Sequence, residues 1–189
     1  MKYALIYGGI AGAIAVALIS AMIGLDLTGH DSTAMLVSYL IMLIALSLIF
    51  VGVKRYRDVE CGGVIRFGRA FLLGLGMAAA AGVIYAIGWE IFQAVSGYDF
   101  MAEYSASILE RMRAEGATAA AIQAKAAEMR EFAESYRNPL FRLPMVFVEI
   151  FPVGLLVALA SAGLLRNPKV LPARAEASRT KSNRHPEFF

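Results

Sequence analysis

The segment from residue 54 to residue 69 reads KRYRDVECGGVIRFGR and carries most of the positive charge in the first half of the chain. Long apolar runs lie on both sides of it. Lys and Arg concentrate in short cytoplasmic loops of membrane proteins. The segment therefore predicts a cytoplasmic loop, with one membrane-spanning helix before it and another after it.

The composition agrees with a membrane protein. Hydrophobic residues make up 59% of the chain, against roughly 45–50% in soluble domains. An apolar run of about 20 residues is long enough to span a bilayer as a helix. We predict an all-α integral membrane protein with one four-helix transmembrane domain over residues 1–169. Its spanning helices are expected at about 3–25, 34–53, 64–92 and 140–165.

Two polar segments complete the predicted organisation. Residues 100–137 show apolar positions at steps of three and four, which is the helical period. Gly116 interrupts this pattern and Thr118 can cap a second helix, so we expect an extracytoplasmic helical hairpin between the third and fourth spans. Residues 170–189 are rich in Arg, Lys, Ser, Ala and Pro and predict a flexible, basic cytoplasmic tail.

Loop charges predict the orientation of the helices. Placing the N and C termini in the cytoplasm brings the basic segment of residues 54–69 and the basic tail to that side. The long hairpin is roughly balanced in charge, and most of it lies farther from the ends of the spans than the residues that this rule counts. The net charge of +3 fits this pattern, so nucleic acid is not expected as a partner.

Small residues recur at every fourth position on three of the predicted spans. Such ridges let helix backbones approach closely in membranes, and we expect the first and third helices to pack together. A groove for a ligand is the alternative. The ridges are Gly9, Ala13, Ala17 and Ala21 on the first helix, Gly74, Ala78, Gly82 and Ala86 on the third, and Gly154, Ala158 and Ala162 on the fourth; a second row on the first helix, Gly8, Gly12, Val16, Ser20 and Gly24, is small except at Val16.

Two carboxylates, Glu90 and Glu149, lie within apolar helices. An ionisable group inside a membrane is costly and marks a candidate functional site. With Arg142 and His30, these acids form a candidate proton, cation or metal site. The alternatives are a structural ion pair with Arg142, plain solvation of Glu90, and a solvated loop histidine at His30.

No catalytic or cofactor motif stands out in the sequence. It contains no HExxH, no GxSxG and no phosphate-binding loop between a strand and a helix, so no cofactor and no enzymatic activity are expected. Cys61 is the only cysteine, which excludes a disulfide within the chain.

Two stretches carry a family resemblance. The segment GVKRYRD at 52–58 followed by GGVIRFGRA at 62–70, and the segment EIFPVG at 149–154 continuing through Leu165-Arg166, resemble the domain of unknown function 4199 family. The resemblance covers about residues 1–169. It implies a small bacterial membrane protein with four helices, an insertion between the third and fourth, and a place in the inner membrane. It implies no activity and no site residues.

The expected function is that of a non-enzymatic accessory or scaffold subunit in the bacterial inner (plasma) membrane. Its expected partners are membrane lipid, other membrane proteins, or a second copy of the chain in a homo-oligomer. The alternative is a small oligomeric transporter or channel that uses Glu90 and Glu149 for protons or cations. A metal site or a membrane enzyme on the extracytoplasmic side is the weaker alternative.

Overall fold

Among the residues that the structure describes, four helical segments are long and apolar enough to cross a membrane. The computed structural model describes the backbone of residues 1–25 and 32–173, and the side chains of residues 1–25 and 36–173. His30 and residues 174–189 of the predicted tail lie outside these ranges. Within them the regular elements are all helices: α1 (Lys2–Gly24), α2 (Ser32–Leu46), α3 (Leu48–Glu60), α4 (Phe67–Ser96), α5 (Phe100–Ala114), α6 (Ala119–Tyr136) and α7 (Pro139–Leu165).

Helices α2 and α3 form one span, Leu36–Glu60, with a local irregularity at Ser47. The Ser47 hydroxyl donates to the carbonyl of Ile44 at 2.6 Å, a local hydrogen bond that competes with the regular helical pattern. The predicted end of this span at Val53 is wrong. The helix continues through the charged residues because a Lys54–Asp58 ion pair of 2.6 Å supports the next turn.

The third spanning helix starts later than predicted, at Phe67 instead of Val64. Gly62 and Gly63 both have positive φ, 61° and 90°, a conformation that glycine adopts without steric cost. The chain then runs in extended form through Arg66, and Ile65 is buried in the core. Residues 64–66, which the prediction placed in the helix, therefore form the extended segment that carries the buried Ile65.

The centre of the bundle is α4, which packs against α1 on one side and α7 on the other. The predicted small ridge on α4 is buried, and it faces α7. A Cβ added at Gly74 would lie 2.9 Å from the Cβ of Ala158, and one added at Gly154 would lie 2.8 Å from the Cβ of Ala78. These two glycines therefore allow the close approach of α4 and α7.

Helices α1 and α4 pack together, but the prediction that α1 does so through the row beginning at Gly9 is wrong. Ala13 and Ala17 are exposed, and a Cβ at Gly9 would meet nothing within 4 Å. The neighbouring row makes the contact. A Cβ at Gly8 would clash with the backbone oxygen of Met77, and one at Gly12 would clash with the backbone oxygen of Ala81.

Helices α5 and α6 pack against each other, and a four-residue turn that includes Gly116 at φ 79° joins them. Asp99 caps α5 by accepting from the Ala102 N–H at 3.0 Å. Thr118 caps α6, as predicted, by accepting from the Ala121 N–H at 3.3 Å. Each cap satisfies a backbone donor that a helix start leaves free.

Arg57 is fully buried at the other end of the bundle, although it belongs to the basic segment. Its guanidinium donates to the carbonyl oxygens of Val170 at 2.9 Å and Leu171 at 2.5 Å, and to the Asp58 carboxylate at 2.8 Å. Its own carbonyl accepts from the N–H groups of Cys61 and Gly63. One residue thus joins the end of α3, the following turn and the chain beyond α7.

The two glycine rows of α1 provide a matched test of this packing. Gly12→Leu forces a side chain against the α4 backbone, and overpacking of this kind costs about 1–3 kcal/mol. We expect the unfolding temperature of the detergent-purified protein to fall by roughly 2–10 °C. Gly9→Leu, on the open row, should leave it unchanged. Equal losses in both variants would contradict the assignment of the buried face.

Candidate functional site

Glu90 and Arg142 form an ion pair between α4 and α7 at the hairpin end of the bundle. The Arg142 Nε donates to Glu90 Oε1 at 2.5 Å, and Nη2 donates to Oε2, so the pair is forked. The side chains are only 23% and 14% exposed, respectively. A forked arginine–carboxylate pair is a strong, geometrically specific contact. It corresponds to the structural pair that the sequence left open as an alternative.

Arg142 also ties α6 to this ion pair. Its Nη1 donates to the backbone oxygen of Tyr136 at 3.4 Å and to Gln93 Oε1 at 3.3 Å. The Arg142 guanidinium lies over the ring of Tyr136, 5.5 Å from its centre. The guanidinium is therefore engaged on several sides, which leaves it little capacity for a ligand.

Tyr136 is one of the contacts between the hairpin and the bundle. Its hydroxyl accepts from Trp89 Nε1 at 3.0 Å, and both side chains are buried. Burial raises the pKa of the Tyr136 hydroxyl, and the negative charge of Glu149 acts in the same direction. The hydroxyl therefore stays protonated at neutral pH. Tyr136 and Glu149 lie close enough for a charge on Glu149 to act on the hydroxyl.

Glu149 lies apart from the Glu90–Arg142 pair. Its side chain is exposed to a cavity of about 620 Å³. It makes no hydrogen bond or ion pair with any residue in the described ranges. At about 1.5 Å per residue it sits ~15 Å along α7 from the first residue of the helix. The two acids thus differ sharply in their surroundings.

The described walls of the Glu149 cavity come from six helices, α1, α2, α4, α5, α6 and α7, and are mostly apolar and aromatic. The exposed lining residues include Tyr39 and Val148 on membrane spans and Tyr104 on the hairpin helix α5. The cavity is therefore open both along the side of the bundle and beside the hairpin. The described residues that line it are Ile19, Met22, Ile23, Ser38, Tyr39, Met42, Tyr85, Trp89, Tyr98, Phe100, Glu103, Tyr104, Ser107, Arg111, Phe132, Tyr136, Met145, Val146, Val148 and Glu149.

A second cavity of about 660 Å³ lies between the hairpin and the end of α4. Tyr98 and Tyr136 line both cavities and so stand between them. Arg130 and Arg137 contribute positive charge to this second cavity, and Asp99 contributes negative charge. Its lining is more polar than that of the Glu149 cavity, and Arg142 lies at its wall, already paired with Glu90.

The predicted joint site of Glu90, Glu149, Arg142 and His30 is only partly assembled. Glu90 meets Arg142, Glu149 forms no polar contact with that pair, and His30 falls outside the described residues. Within the described ranges, no three His, Cys, Asp or Glu side chains lie close enough to hold a metal ion.

Sequence reasoning missed the cavity itself. Its aromatic wall combines Trp89 and Tyr85 from α4, Phe100 and Tyr104 from α5, and Tyr136 from α6. Edge-on and stacked ring contacts hold several of these rings together, including Trp89 with Phe100 at 5.7 Å and Phe100 with Tyr104 at 5.6 Å. The available signal was the concentration of aromatic residues at the junctions between the third span and the hairpin.

The fold and this site define a class: helical-bundle proteins with four candidate membrane spans and a helical segment between the last two. The family described as "Protein of unknown function (DUF4199)" matches residues 2–167. The chain belongs to this family. No curated protein and no solved structure matches it significantly.

The ion pair predicts coupled effects of mutation. Arg142→Gln leaves the Glu90 carboxylate without its partner in a mostly buried position, which costs about 1–3 kcal/mol. We expect the unfolding temperature to fall by roughly 2–10 °C. Adding Glu90→Gln should restore part of the loss, because the unpaired charge is then removed. Thermal unfolding of the two single variants and the double variant in detergent measures this coupling; simple addition of the two losses would argue against it.

Proposed function

We propose that this chain is a non-enzymatic membrane protein that binds an amphiphilic molecule, taken from the surrounding bilayer, in the cavity beside Glu149. The observation that carries the proposal is a largely apolar cavity that opens between membrane spans and contains one unpaired carboxylate. Apolar walls with a few polar groups are typical of ligand sites. The hairpin supplies part of the wall, which gives this segment a role in retaining the ligand.

The side chains around the cavity support binding more than catalysis. Its described lining includes neither His nor Cys, and Glu149 has no hydrogen-bonded partner there that would act as nucleophile or base. An accessory or scaffold role, with lipid, other membrane proteins or a second copy of the chain as partner, is compatible with this proposal and stays a prediction.

A small oligomeric transporter or channel is the alternative, favoured by the position of Glu149 within a span. The version in which Glu90 and Glu149 act together has less support, because Arg142 holds Glu90 in a forked ion pair. Transport would then depend on Glu149 alone. Proton or cation flux in liposomes that Glu149→Gln abolishes would favour this alternative over binding.

We also propose that the protein lies in a bacterial inner membrane with both termini in the cytoplasm. Contacts at one end of the bundle support this orientation. Tyr3 donates to Glu60 at 3.0 Å, and Arg57 donates to Val170. These contacts bring the start of α1, the end of α3 and the end of α7 together. That end carries the basic residues Lys2, Lys54, Arg55, Arg57, Arg66, Arg69, Arg166 and Lys169.

The single cysteine tests the orientation. Cys61 is partly exposed and lies in the turn after α3. A membrane-impermeant maleimide should label it only after the membrane of bacterial spheroplasts is opened. In a Cys61→Ser background, Glu115→Cys at the tip of the hairpin should react in intact spheroplasts. The reverse pattern would place the hairpin in the cytoplasm.

The single tryptophan tests binding. Trp89 lines the cavity and is 5% exposed, so a brominated neutral amphiphile should quench its fluorescence saturably when it occupies the cavity. Val148→Phe, at the rim, should weaken the quenching. Leu156→Phe is the matched control, because Leu156 is similarly exposed on α7 and does not line the cavity. Quenching that does not saturate, or that both variants leave unchanged, would refute binding in the cavity.

A further inference from the structure

We infer that the ligand of this cavity is a lipophilic monocation, with Glu149 as its counter-ion and aromatic rings as its walls. A quaternary ammonium, a phosphonium or a protonated aromatic amine on an apolar body has this chemistry. The inference rests on the proposed amphiphile-binding function and specifies the charge of the molecule bound.

The charge follows from the surroundings of Glu149. Its carboxylate lies within the span Pro139–Leu165 and pairs with no residue in the described part of the chain. A charge within a membrane is costly without a partner. A cation bound beside Glu149 would supply that partner, because Arg111, which carries the positive charge among the described lining residues, makes no ion pair with Glu149.

The walls select an apolar cation over a hydrated one. Trp89, Tyr85, Phe100 and Tyr136 line the same cavity as the carboxylate. The face of an aromatic ring attracts a cation, most strongly where water is excluded. The remaining wall includes Met42 and Ile19, both buried, which suit an apolar body. A small metal ion is a poorer fit, because hard cations need about six oxygen ligands and the described residues bring no three His, Cys, Asp or Glu side chains close enough to hold one.

The size and opening of the cavity fit the same ligand. Its volume of about 620 Å³ falls within the roughly 300–1,000 Å³ typical of sites for small organic molecules. The exposed lining residues Tyr39 and Val148 belong to membrane spans, so the cavity is open to a cation that partitions into the bilayer. The depth of Glu149 along α7 favours such a molecule over the headgroup of a lipid anchored at the surface.

The test compares three probes of similar shape on the purified full chain. They are tetraphenylphosphonium, which is a cation, tetraphenylborate, which is an anion, and triphenylphosphine oxide, which is neutral. Affinities are measured by equilibrium dialysis, with Trp89 fluorescence as a second readout. We expect the cation to bind most tightly, and Glu149→Gln to weaken it by about tenfold or more. Glu110→Gln is the control, because Glu110 is exposed and does not line the cavity.

The neutral probe separates the possible results. If Glu149→Gln still binds triphenylphosphine oxide like the wild type, its cavity is intact and the loss of cation binding is due to charge. Equal affinity for cation and neutral probe, unchanged by Glu149→Gln, would overturn the inference and leave amphiphile binding standing. Failure of the wild type to bind any of the three probes would overturn both.

Discussion

The close approach of helix backbones on both sides of α4 is the constraint on which the rest of the structure depends. Lipid chains are as apolar as leucine side chains, so packing and close contact, rather than escape from water, hold helices together in a membrane. On one side Gly8 and Gly12 of α1 admit the backbone of α4. On the other side Gly74 and Gly154 set α4 against α7. The cavity beside Glu149 lies where these helices meet the hairpin.

Two arginines fix the opposite ends of this bundle by different means. Arg142 uses a carboxylate and joins α7 to α4 and α6. Arg57 uses mainly backbone carbonyls and holds the chain beyond α7 against the end of α3. Both guanidiniums satisfy several acceptors at once, as their planar set of donors allows. The hairpin end and the loop end are therefore each anchored by polar contacts, and the apolar middle supplies the shape complementarity.

The spans could be predicted from the sequence because length and apolar composition alone determine them. The packed face of α1 could not, since the rows that begin at Gly8 and Gly9 are both rich in small residues and only the position of α4 distinguishes them. The burial of Arg57 could not be predicted either, because Arg55, two residues earlier, is exposed and no local feature of the sequence distinguishes the two arginines. The Glu90–Arg142 pair was foreseen as an alternative. The cavity depends on contacts among distant helices, which periodicity does not encode.

The contact of α1 with α4 has a consequence for the biogenesis of the protein. Gly8 and Met77 are separated by about 70 residues, which take roughly 4–14 s to synthesise at about 5–20 residues per second. During this interval α2 and α3 can cover part of α1. Gly8 and Gly12 cannot yet contact α4, which has not been synthesised, so they face lipid or the insertion machinery. The bundle therefore closes late, and the first helix must persist in the membrane as an independent unit until the third span arrives.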